Sequence, residues 1–216
     1  MSSINIFEGN YALVNCVRLH FASAGEPSRP LILFLHGFPE FWYAWNRQLA
    51  EFGATHFAVA PDMRGYNRSS KPDDVCAYAV KHLVEDVCGL ARQLGCAGRF
   101  TLVGHDWGGA VAWAFAIAHP EPLERLVIDY YRAARIGPPV AGEPAASIPA
   151  SGDLRVMVPT LVIWGERDHA RLPGNLNGLD AFVPDLRIER IPEGSHWVVH
   201  EKPQEVNRFL RQFIAG

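Results

Sequence analysis

Phe100-Thr101-Leu102-Val103-Gly104-His105-Asp106-Trp107-Gly108-Gly109-Ala110-Val111-Ala112-Trp113 decides how this chain is read. An apolar, β-rich run ends at Val103, and a helix-forming run follows from Ala110 to His119. Only a glycine-bounded junction separates them. Gly104 and Gly108 stand two residues either side of Asp106, which is the small-x-nucleophile-x-small spacing of a nucleophile elbow. Small flanking residues let the backbone turn sharply and lift the central side chain above a sheet. Asp106 would then sit at a helix N-terminus, where the dipole and free N–H groups favour an anion. The N–H of Trp107 would point where an oxyanion can form. The plainer alternative is that Asp106 only caps the helix.

Working outward, Leu31–Leu35 (LILFL), Phe57–Ala60, Leu126–Ile128, Thr160–Trp164 and Leu186–Ile191 read as strands. Phe41–Phe52, Ala79–Leu94 and Gln204–Ile214 read as helices. In Ala79–Leu94, apolar Val80, Leu83, Val84, Val87, Leu90 and Leu94 recur at three- and four-residue spacing, and Gly95 supplies a stop. Ile4–Phe7 and Tyr11–Phe21 read as an antiparallel pair turning near Gly9-Asn10. Strands alternating with helices imply one α/β domain over residues 1–216, with a mostly parallel, twisted sheet of about eight strands and helices on both faces. Residues 130–159 break the rhythm with five prolines and three glycines, and read as a loop or linker.

The 216 residues are 49% hydrophobic and 20% charged, with a net charge of −3. That balance suits a folded core and gives no electrostatic reason to bind nucleic acid or anionic membrane. The longest uncharged apolar stretch, Gly108–Ala118, is too short to span a bilayer. No basic-then-apolar leader is visible in Met1–Gly9. Cys16, Cys76, Cys88 and Cys96 lack metal spacing and read as buried or half-buried thiols in a reducing, cytoplasmic setting. No cofactor or metal motif appears.

Three further stretches complete a constellation. His36-Gly37-Phe38-Pro39 follows a strand and is placed to aim the Phe38 N–H at an oxyanion; its X-Pro bond is a candidate for cis. Trp164-Gly165-Glu166-Arg167-Asp168 leaves a strand with Asp168 as the candidate orienter of a histidine and Glu166 as reserve. Gly194-Ser195-His196-Trp197 follows the last strand with His196 as candidate base, and His169 as its rival. His36 and His105 read as structural members of their turns, with His36, Trp42 and Trp197 near a substrate pocket. A carboxylate at the elbow needs no base to attack, and suits displacement at saturated carbon.

As a set, these residues resemble the epoxide hydrolases of the α/β-hydrolase superfamily. His36–Trp45 (HGFPEFWYAW), Pro61–Pro72 (PDMRGYNRSSKP), Gly104–Gly109 (GHDWGG) and Gly194–Pro203 (GSHWVVHEKP) carry the likeness. Asn67 stands where the family has Gly, a residue that also tolerates positive φ. The order Asp106, Asp168, His196 is that family's order of nucleophile, acid and base. The resemblance implies a small apolar epoxide as substrate and alkyl-ester formation on Asp106. It also implies hydrolysis by water activated at His196, with Phe38 and Trp107 as oxyanion donors. Haloalkane and haloacetate dehalogenases share most of these motifs, so alkyl halides are the runner-up substrates. The family's helical cap has no counterpart between Ile128 and Thr160, and of its two epoxide-polarising tyrosines only Tyr131 aligns. Epoxide turnover is therefore expected to be weak, and a catalytically poor core or binding scaffold is the alternative from another class. With no cap, Phe38, Phe41, Trp42, Trp107, Tyr130, Tyr131 and Trp197 would form an apolar patch prone to self-association.

Overall fold

A computed structural model describes residues 5–96, 98–129, 155–169 and 176–216. In chain order these form β1 (Phe7–Val14), β2 (Val17–Ala24), β3 (Leu31–Leu35), α1 (Asn46–Phe52), β4 (Phe57–Pro61), α2 (Val80–Gln93), β5 (Phe100–His105), α3 (Trp107–Ala118), β6 (Leu123–Asp129), β7 (Thr160–Gly165), β8 (Leu186–Ile191), α4 (Val198–Glu201) and α5 (Pro203–Ile214). The strands make one sheet in the order β1-β2-β4-β3-β5-β6-β7-β8. β1–β2 and β2–β4 pair antiparallel, and every later pair is parallel.

Side chains alternate across a strand, and here each side of the sheet has its own core. From β3, Leu31, Leu33 and Leu35 join one cluster with α2 and α3. Ile32 and Phe34 join the other, with α1 and α5. β4 divides likewise, Phe57 and Val59 against Ala58 and Ala60. Full burial on both faces is why these strands read as unbroken apolar runs. Each of the buried Leu, Ile, Val and Phe side chains contributes roughly 1.5–3 kcal/mol. Trp45, Trp113 and Trp164 lie in this core.

Several boundaries differ from the sequence expectation. The hairpin turns at Asn15-Cys16, not at Gly9-Asn10. Both turn residues have positive φ (46° and 62°), as a two-residue hairpin requires, and Val14 pairs with Val17. Gly9, at φ 94°, lies within β1 where the pairing register shifts between Phe7 and Asn10. The Asn15 side-chain amide donates to Asp86 Oδ1 (3.0 Å), fastening the turn to α2. Helix α3 begins at Trp107 rather than Ala110, so Gly108 and Gly109 are helical. Phe41–Phe52 divides into a 3₁₀ turn, Trp42–Trp45, and α1. Cys16 and Cys76 are exposed, contrary to expectation, while Cys88 and Cys96 are half-buried. Of the linker, 130–154 lies outside the described residues, Tyr130 and Tyr131 with it. Residues 155–159 hold no regular element, although Val156 and Val158 are buried. No helix among the described residues is long and apolar enough to cross a membrane.

Candidate active site

β3 leads to β4 on one side, and β5 returns to pair with β3 on the other. The chain thus diverges at the C-terminal ends of β3 and β5, where an α/β sheet opens a crevice for ligands. Asp106 stands there with φ 50° and ψ −119°, a conformation that L side chains avoid. Two glycines permit it. A Cβ on Gly104 would lie 2.4 Å from the Gly108 carbonyl oxygen, and one on Gly108 would lie 2.2 Å from the Leu35 carbonyl oxygen. Asp106 occupies the N-cap position of α3, yet its side chain makes no capping hydrogen bond. Its carboxylate is directed elsewhere.

Asp106 Oδ1 accepts from the Phe38 N–H at 3.0 Å, and the Trp107 N–H also bonds the carboxylate. Asp106 Oδ2 lies 3.4 Å from His196 Nε2. On the far side of that ring, His196 Nδ1 is 3.0 Å from Asp168 Oδ2. The fold thus brings Asp106, His196, Asp168 and the backbone donors of Phe38 and Trp107 into one site. Glu166 points away towards Arg190 at 3.5 Å, and His169 is exposed. The loops carrying Asp168 and His196 are joined by the Arg167 N–H, which donates to the Gly194 carbonyl at 2.8 Å. Glu201 fixes the loop beside His196, accepting from the Ser195 N–H and hydroxyl at 2.8 and 2.7 Å.

His36 and Trp42 do not line an open pocket. His36 is 0% exposed; its Nδ1–H donates to the Gly37 carbonyl and its Nε2 accepts from the Met63 N–H. It pins the β3 turn to the next loop from beneath. Trp42 is 4% exposed and packs in the α1/α5 core. Trp197 is 38% exposed, with its ring edge-on to His196 at 5.0 Å. Phe38-Pro39 is cis and Asn67 has φ 39°. Tyr131 lies outside the described residues.

A second layer escaped the sequence reading. His105 Nε2 is 2.8 Å from the His196 carbonyl oxygen, and its Nδ1 is 3.1 Å from Glu40 Oε2. An acceptor oxygen thus lies within hydrogen-bond reach of each ring nitrogen of His105. Glu40 Oε1 accepts from His200 Nε2. One carboxylate therefore ties the Phe38 turn, the elbow and the histidine loop together. Glu40 and His200 are 160 residues apart, so no local pattern could have paired them.

The family described as "alpha/beta hydrolase fold" matches residues 30–130. The chain is 29% identical to Epoxide hydrolase 3 of Xenopus tropicalis, over 92% of this chain and 75% of that protein. That alignment runs over 275 positions, more than this chain's 216 residues. Over 52% of this chain and 40% of the other, it is 46% identical to the AB hydrolase superfamily protein YfhM of Bacillus subtilis. Its fold superposes on a Bacillus megaterium epoxide hydrolase crystallised with an inhibitor. The TM-score is 0.84 at 27% identity, covering 96% of this chain and all of that one. The chain has the α/β-hydrolase fold and is similar to epoxide hydrolases.

The charges of this hydrolase's site are interdependent. Burial pushes the Asp106 carboxyl up, but the bonds from His196, Phe38 and Trp107 outweigh it and hold the group below the usual carboxylate range. His196 is raised, chiefly by its bond to Asp106; burial opposes this and Asp168 adds to it, while His105 pulls it down. Glu40 is half-enclosed, yet the bonds from His105 and His200 overcome that burial and keep it ionised well below its usual range.

Proposed function

We propose that this hydrolase opens small apolar epoxides through a covalent ester on Asp106. Asp106 Oδ2 attacks one ring carbon, forming a C–O bond as the ring C–O bond breaks. His196, held by Asp168, then takes a proton from water. The resulting hydroxide attacks the ester carbonyl carbon, and the diol leaves. One observation carries this reading: the two oxygens of Asp106 have different partners. Oδ2 faces the imidazole, where water would be activated, while Oδ1 already rests on the Phe38 N–H, where the tetrahedral oxyanion would form. The geometry also supports a switch in His196. Ester formation removes the carboxylate charge that raises its pKa, so the imidazole sheds its proton as a base becomes necessary.

Weak turnover belongs to the same reading. The relatives' alignment needs more positions than this chain has residues, which supports the absence of a lid segment. Without a roof, water exclusion and leaving-group positioning suffer, and a misplacement of about 1 Å costs about 100-fold. The same observation favours a second reading, dehalogenation, because a halide leaves without a proton. Exposed Phe38, Phe41, Tyr43 and Trp197 around the site support self-association of this face. Exposed thiols at Cys16 and Cys76 suit a reducing compartment such as the cytoplasm.

The test is His196→Gln incubated with styrene oxide and weighed intact. A mass gain of one epoxide, absent in Asp106→Ala/His196→Gln, is expected. No gain at all refutes the covalent route. Diol release against halide release by the unaltered protein separates the two substrate classes.

A further inference from the structure

We propose that Tyr66 supplies the proton that the opening epoxide oxygen requires, from the loop that follows β4 rather than from a lid. This rests on Asp106 being the nucleophile. Tyr66 sits on a braced loop. The Asp62 carboxylate at the loop's start accepts from the Trp42 N–H (2.9 Å) and the Asn67 amide (2.8 Å), and pairs with buried His20 at 2.7 Å. The Tyr66 N–H donates to the Met63 carbonyl, and the Tyr66 carbonyl accepts from the Ser69 N–H. Its backbone is therefore fixed on both sides.

The ring packs beneath the turn that carries Phe38, against His36 and the core on that side of the sheet. It meets His36 edge-on, with centroids 4.8 Å apart. His36 precedes Gly37, where an added Cβ would lie 2.6 Å from Asp106 Cβ. Through His36 and Gly37, Tyr66 thus neighbours the turn against which the Asp106 side chain rests. It is half-buried, and no residue among the described ones hydrogen-bonds its hydroxyl. Tyr78, on the same side of the loop, donates instead to the Pro72 carbonyl at 2.8 Å. A half-buried phenol normally finds a partner, and this one has its donor available. Burial first, and then the charge of Asp106, raise the Tyr66 pKa, so the proton is held at neutral pH.

The chemistry closes. As Asp106 Oδ2 bonds to carbon, the ring oxygen keeps the electron pair of the broken C–O bond and takes the phenolic proton. Alkylation simultaneously removes the carboxylate charge that disfavours a phenolate. Water returns the proton to the phenolate, and the hydroxide so formed is neutralised by the proton that His196 sheds on ester formation; ester hydrolysis then restores that proton to the imidazole. The sum is epoxide plus water to diol.

The experiment uses the full chain in the His196→Gln background, where the adduct on Asp106 accumulates. Adduct formation by intact mass is followed with styrene oxide and, in parallel, with 1-bromohexane, whose bromide leaves unprotonated. Adding Tyr66→Phe is expected to slow the epoxide arm by about 100-fold, the scale of general-acid help, and to leave the bromide arm within about twofold. Equal slowing of both arms marks Tyr66 as merely structural and overturns the proposal. An unchanged epoxide arm does so too, assigning the proton to another donor. No adduct in either arm, before Tyr66 is altered, overturns the nucleophile reading itself and this inference with it.

Discussion

In Asp106 the carboxyl is held below its ordinary value of 3.8, and in His196 the imidazole is held above its ordinary 6.5; each group is a cause of the other's shift. A depressed acid adds stability above its ordinary value and loses it as pH falls through the lowered one. A raised histidine adds stability below its ordinary value and loses it as pH rises through the raised one. The pair's contribution is therefore complete between those two ordinary values and fades on either side. Asp106→Asn removes the charge but keeps the shape, so it stands in for the ester. His196 is expected to titrate lower in that variant than in the unaltered chain, read from its imidazole NMR signals. An unmoved or raised midpoint defeats the switch proposed for the hydrolytic step. The stability gap between the two proteins should be widest in the mildly acid window and narrow above it. This much is readable in sequence, because Asp106, Asp168 and His196 each stand within five residues of a strand's C-terminal end. The Glu40–His105–His200 layer is not. Glu40 lies in the turn after β3, His105 ends β5 and His200 belongs to α4, and only the folded sheet edge brings them together.

The elements show which sequence signals hold and which mislead. β3 and β8 keep the bounds read from sequence, since apolar or alternating runs bounded by turn residues leave little freedom. Helix α3 starts earlier than its pattern suggests because glycines, usually breakers, are needed there for contact with the β3 carbonyls. The hairpin was misplaced for the converse reason. Its turn lacks glycine and is made by Asn15 and Cys16, while Gly9 sits inside a strand. Cys16 carries the strain, being exposed at φ 62° without a glycine's freedom. Cys16→Gly is expected to stabilise the chain by about 0.5–1 kcal/mol, raising Tm by about 2–4 °C. Cys16→Ala, which keeps the Cβ, should not. Thermal unfolding of the two variants side by side checks this, and a lower Tm for the glycine variant refutes the strain.

At the scale of the molecule, the sheet's upper end combines a charged site with exposed aromatic rings. Phe38 is 60% exposed, Tyr43 55% and Phe41 40%, with Phe41 and Tyr43 stacked on one another at 6.1 Å. Trp42, once expected among them, is core. Such a cluster favours burial against another surface. Light scattering over a dilution series should find mass rising with concentration, and Phe41→Ser/Tyr43→Ser should abolish the rise. A constant monomer mass in the parent chain would rule out association through this face. The same upper end joins distant parts of the chain: Phe38 meets Asp106, His196 meets both Asp106 and Asp168, and Glu40 meets His200. Partially assembled chains, in which β8 has yet to dock, would hold the carboxylate without its imidazole. A covalent tag that settles on Asp106 and is then released would therefore count only finished molecules, making the reaction an assay of its own folding.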